Sequence, residues 1–359
     1  MLIELCNDIA NDACNGKKKA LEVLFYISIA YRMGKHLVFL PHSVVETIRK
    51  SQLPDNLRLL YTSIGKQTSS LGILSRKISV KIVVTQKDYV GSENQKILVF
   101  NPYSDMQYEL YEETHLLTEN LQDSDFYLAL VTYYKRKYRL NSFAVCFFPL
   151  QGGGDTIRKV LENEIFLAQH ACLAIVDSDK KYENAKKGDT YKKLKEVLER
   201  NKYEFCDLYC MDKVREIENL IPYRMLRDIS QYKSNRLIKE DFDFDMSYFD
   251  MKDGILLKHL SDAKFVSYWR NNLQVNHKSI ASIIKYEVLA KTKRKKSKKS
   301  VKEVILPGFG SKVLEVFLKN CRNNLMRTTD EDLTEAQRNE WENIGKTIFE
   351  WCCSNNIRN

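Results

Sequence analysis

Apolar residues in the first 75 positions recur at three- and four-residue spacing. Ala20, Leu21, Leu24, Phe25, Ile27, Ala30 and Tyr31 form one stripe, and Val44, Val45 and Ile48 continue it. A period near 3.6 predicts amphipathic helices, so 1–75 reads as a small helical unit. Over 76–112 the pattern changes to two β-rich runs, ISVKIVVTQ and QKILVFN, on either side of the turn-forming DYVGSENQ. These predict a hairpin, or a connector that extends the sheet of the next domain.

From 113 to 228 short, nearly all-apolar runs alternate with amphipathic ones: THLLTEN, DFYLALVTYYKRKY, SFAVCFFPL, TIRKVLENEIFLAQ, ACLAIVDSD, TYKKLKEVLERN and FCDLYCM. That alternation predicts an α/β core, a parallel sheet with helices on both faces. Residues 229–359 return to helical patterning. In the closing LTEAQRNEWENIGKTIFEWCC, Thr334 can cap a helix whose Trp341, Ile344, Ile348 and Trp351 share one face.

Composition narrows the class. With 44% hydrophobic residues in 359, the chain can fill one or two cores, and only 13 Gly and 6 Pro exclude collagen-like and low-complexity architectures. No run approaches eighteen apolar residues, and the acids in MLIELCNDIANDACNGKKK are unlike a signal peptide, so a cytoplasmic protein without membrane contact is expected. The nine cysteines sit mostly in apolar runs and read as reduced core thiols. Cys206 and Cys210 lack the second Cys/His pair of a zinc motif.

The net charge of +10 is concentrated. Eight of the 57 basic residues fall in KTKRKKSKKSVK, 291–302, which contains no acid. Such a block stays solvated until it meets a polyanion, and Lys293, Arg294, Lys295 and Lys296 are candidate phosphate-backbone contacts.

Candidate chemistry gathers at the ends of the expected strands, where α/β sheets place their sites. The first strand runs into Glu119-Asn120-Leu121-Gln122-Asp123, the third into Asp177-Ser178-Asp179, and the fourth is followed by Arg215-Glu216-Ile217-Glu218-Asn219. Clustered carboxylates repel unless cations neutralise them, and Mg2+ favours such oxygen donors. Strand alternation would turn Asp177 and Asp179 to one side, so they could share an ion. The second strand ends in Gly152-Gly153-Gly154 before a helix, a place where backbone N–H groups can meet a phosphate. Lys180 and Lys181 follow the Asp-x-Asp and are candidates for charge stabilisation at that phosphate.

In this order the motifs resemble a TOPRIM domain of the type found in overcoming-lysogenization-defect nucleases and phage-defence effectors. The resemblance is confined to 113–228, and Asn120 stands where that family usually has glycine. It implies a Mg2+-dependent nuclease acting on DNA or RNA, with Mn2+ as an alternative ion, in bacterial antiviral defence. Carried over, Glu119 is a metal ligand or general acid/base, Asp177 and Asp179 are metal ligands, Asp123 is a supporting acid, and Glu218 is a second-site ligand or orienting acid. The chain has no GxxxxGK[ST] nucleotide loop, so it is not expected to power itself with ATP, and the resemblance implies an ABC-type ATPase partner, fused or encoded separately. Two other readings compete: a binding or regulatory module on the same scaffold without turnover, holding nucleic acid or a polyanionic partner through the lysine block 291–302, and a primase- or topoisomerase-like enzyme using the same acids.

Overall fold

Two parallel four-stranded sheets organise the chain. The computed structural model describes residues 1–91, 94–104, 110–201, 203–239, 244–273 and 304–356; the basic block, with Lys293, Arg294, Lys295 and Lys296, lies outside the described residues.

The first sheet comprises β1 (Leu2–Leu5), β2 (Leu37–Phe39), β3 (Val80–Val84) and β4 (Lys96–Phe100), ordered β2-β1-β3-β4 and parallel throughout. The stretch expected to be helical does carry five helices between Asn7 and Lys77, but they alternate with strands. β3 and β4 pair in parallel, so 76–112 is not a hairpin. The physical reason is burial. Every residue of β1 and β3 is buried, so neither strand shows the polar alternation that marks a half-exposed one. Even Glu4 and Lys81 are inside, paired at 2.7 Å, with the Ser75 hydroxyl donating to the same carboxylate.

The second sheet is the α/β core expected over 113–228. Its run is β5 (Thr114–Thr118), a two-residue β6 (Ala144–Val145), β7 (Phe147–Gln151), β8 (Cys172–Val176) and β9 (Cys206–Cys210). β7-β5-β8-β9 form the sheet, all parallel, while β6 pairs antiparallel with Cys353–Ser354. Pro149 is tolerated because β7 is an edge strand. On one face Leu117, Cys172, Ala174 and Val176 pack with Ile157, Leu161, Leu194 and Val197 of helices Ile157–Asn163 and Asp189–Arg200. On the other, Leu116, Leu173 and Ile175 join a core that includes helix Leu121–Lys137, the C-terminal helix Glu335–Cys352 and the first sheet. No described helix is long and apolar enough to cross a membrane, and all nine cysteines are free thiols.

The C-terminal helix also holds up the far loop of the second sheet. Thr334 caps its start, and Gly345 lets it approach helix Leu121–Lys137, since a Cβ there would lie 2.7 Å from the Leu130 carbonyl oxygen. Trp341 meets Phe126 and Tyr133 edge-on at 6.0 and 5.5 Å, and its Nε1 donates to the Leu220 carbonyl. Buried Gln337 donates from Nε2 to the carbonyls of Asn219 and Ile221 at 2.8 and 2.7 Å. Gln337→Leu strands both acceptors, so it should cost about 1–3 kcal/mol in denaturant unfolding. An unchanged midpoint would show that the loop does not depend on this helix.

Candidate active site

β5 and β8 are neighbours with Leu117 opposite Ala174, so Glu119 and Asp177, which follow their last residues, leave the same rim of the sheet. The chain beyond β9 returns across that rim to a short turn, Ile217–Leu220. It is stitched there by backbone bonds. The amides of Ser178 and Asp179 both donate to the Arg215 carbonyl at 2.9 Å, and the Ile217 amide donates to Asp177 Oδ1 at 2.9 Å. Segment 244–253 closes the other side, with Asn219 Nδ2 donating to the carbonyls of Met246 and Phe249, both at 2.8 Å.

These constraints bring carboxylates together. Asp177, Glu216 and Glu218 each offer an oxygen within 4.8 Å of the other two. The Asp177 backbone N–H faces the Glu119 carboxylate and favours its charged form. Asp123, Glu216 and Glu218 are only 4%, 5% and 4% exposed. One oxygen each of Glu119 (Oε1), Asp123 (Oδ1) and Glu218 (Oε2) is buried with no hydrogen-bond partner. Native proteins rarely leave such atoms unpaired, and a bound ion is one way of satisfying them.

Counter-charge is scarce. Lys252 Nζ lies 3.0 Å from Glu218 Oε1 and 3.6 Å from Glu216 Oε2, while Arg215 reaches Glu216 Oε2 only at 3.8 Å and sits closer to Asp250, at 2.6 Å. Burial therefore raises four of the carboxyls above the ordinary range. It lifts Asp123 to about 7 and, with repulsion from Glu218, lifts Glu216 to about 8. Burial and the charge of Asp179 raise Glu119; burial with the charges of Glu119, Glu218 and Glu216 raises Asp177 well above the carboxylate range. Burial alone would depress Lys252, but Glu216, Glu218 and Asp177 reverse the sign and raise it.

Of the residues expected from sequence, Glu119, Asp177 and Glu218 meet at the rim with Asp123 beside them. Asp123 Oδ2 also accepts the Asn120 amide at 2.9 Å, capping helix Leu121–Lys137. Asn120 itself is extended, φ −127°, so no left-handed residue is needed there. Asp179 differs from its expected placement. β8 stops at Val176, so strand alternation ends before Asp179, which is exposed and left-handed at φ 54°. Its carboxylate rests on Gly188, where a Cβ would lie 2.1 Å from Oδ2. It acts on Glu119 by charge and stands outside the Asp177–Glu216–Glu218 trio.

The expected phosphate contacts are differently employed. Lys180 is buried and donates to Asp212 Oδ1 at 2.6 Å and to the Asp212 carbonyl at 3.1 Å, tying the loops after β8 and β9. Lys181 is exposed, and its carbonyl accepts from Trp269 Nε1. The Gly152 and Gly153 amides donate to the carbonyls of Thr118 and Glu119 at 2.7 and 2.9 Å, which occupies those N–H groups. Gly152 is small for packing, since a Cβ would lie 2.3 Å from Ile157, and Gly153 and Gly154 turn the chain with φ 64° and 55°.

Two residues escaped the sequence reading. Glu216 had a signal, its two-residue spacing from Glu218. Lys252 had none, because it comes from an irregular segment folded in from afar. The assembled donors are all oxygen, a set that suits a hard divalent cation. Compared with known proteins, the chain matches no family model, no curated protein and no solved structure.

Proposed function

We propose that the rim pocket is the active site of a Mg2+-dependent nuclease, a hydrolase of DNA or RNA phosphodiesters on a TOPRIM-like core. The observation that carries this reading is the set of buried, unpartnered carboxylate oxygens from Glu119, Asp123 and Glu218 around one lysine. Glu119, Asp177, Glu216 and Glu218 would hold the ion. When bound, it supplies neutralisation of the nonbridging phosphate oxygens and of the departing oxygen. Asp123, raised to about 7 by burial, sits in the range where a carboxyl exchanges protons at neutral pH. Lys252, once freed from Glu218, is placed to stabilise charge that develops on phosphate. The sequence resemblance extends the proposal to antiviral defence beside an ABC-type ATPase.

The test is incubation of the full chain with DNA and with tRNA in Mg2+ or Mn2+. Cleavage that stops in EDTA is the expected result. Salt-sensitive binding with no cleavage and no response to EDTA would overturn it in favour of a binding module.

A further inference from the structure

At the opposite end of the same strands lies a second cluster of a different chemistry. His115, the second residue of β5, places Nδ1 2.7 Å from Glu164 Oε2, and His170 Nδ1 lies 3.4 Å from that oxygen. The two imidazole rings are 4.2 Å apart, and the three ligand atoms lie within 4.8 Å of one another. Glu119 lies four positions beyond His115, roughly 13 Å along a strand, so the cluster is distinct from the acid pocket.

The local chain builds this arrangement. Helix Ile157–Asn163 widens into a π-turn over Glu164–Ala168, and Gln169 then reverses direction with φ 53°. Its amide donates back to the Glu164 carbonyl at 2.7 Å, which folds His170 over the Glu164 side chain. The Tyr203 hydroxyl holds the Gln169 carbonyl in place.

Glu164 is 5% exposed, and among the described residues no lysine or arginine pairs with it. His170 Nδ1 is buried without a hydrogen-bond partner. Among the described residues the Glu164 carboxylate is held only by the His115 contact, His170 Nδ1 is turned toward the same oxygen without a hydrogen bond, and a borderline-soft cation between the three would satisfy both. For metal–ligand bonds of about 2.0–2.1 Å at a tetrahedral angle, donors stand roughly 3.3 Å apart. The Glu164–His170 separation already has that value, and the His115–Glu164 hydrogen bond must open by about half an ångström.

We propose that His115, Glu164 and His170 form a Zn2+ site, with the fourth position open to water beside His170. Mixed nitrogen and oxygen donors select it against Mg2+, which takes oxygen. The bound ion would staple the start of β5 to the π-turn. This proposal stands apart from the nuclease reading.

The test uses the full chain stripped of metal and kept in millimolar Mg2+, which occupies oxygen sites. Titration with Co2+ should give one equivalent with the intense visible absorption of a four-coordinate ion, displaced by Zn2+. His170→Ala should weaken Zn2+ at least about tenfold, and Asp177→Asn should leave it unchanged. On the unaltered protein, Zn2+ should protect both histidines from diethyl pyrocarbonate, read by mass spectrometry. No bound Zn2+, or binding lost in Asp177→Asn and kept in His170→Ala, would overturn the site.

Discussion

Asp177→Asn should lower cation-dependent cleavage by at least about a hundredfold while the protein stays folded. The asparagine keeps Oδ1 as acceptor for the Ile217 amide, so the stitch between β8 and the Glu218 turn survives. What disappears is an acid that burial, with the charges of Glu119, Glu218 and Glu216, holds protonated above the carboxylate range. In EDTA a neutral amide therefore replaces a neutral carboxyl, and the variant should melt near the temperature of the parent protein. Loss of activity with retained stability separates a ligand from a structural acid. Full activity in the variant would remove Asp177 from the mechanism.

Stability without divalent ions should fall as pH rises from about 4 to 8. Asp123 and Glu216 have folded-state values near 7 and 8 against ordinary values of 3.8 and 4.5. A raised folded value means that the native state binds the proton more tightly. Its stabilisation is complete below the unfolded value and is lost as pH climbs through the folded one. At about 1.4 kcal/mol per unit, the loss amounts to several kcal/mol, with the attraction of Lys252 already included in both values. Divalent cations bind the deprotonated pocket, so Mg2+ should raise the melting temperature more at pH 8 than at pH 5.5. An equal or larger rise at pH 5.5 would show that the ion does not displace these protons.

The second sheet was legible because its strands are short apolar runs between amphipathic helices, and most of its acids follow from where those runs stop. The first sheet was hidden for a related reason. LIEL and LVF are too short and too completely buried to show a period, and DYVGSENQ has turn residues whether its flanking strands pair parallel or antiparallel. Side-chain partners were the least legible. Asp212 claims Lys180 from a loop 32 residues away, and Glu164 meets His115 across 49 residues. Such pairings are set by the sheet order, which no local pattern encodes.

The most direct measurement is anomalous diffraction from a crystal of the full chain grown in Mn2+. A rim site bound to the ion gives a peak within coordination distance of carboxylate oxygens from Asp177 and Glu218, with Lys252 displaced from its present position against Glu218. Fully occupied Mn2+ elsewhere, with the Lys252–Glu218 pair intact and no peak at the rim, would contradict that assignment.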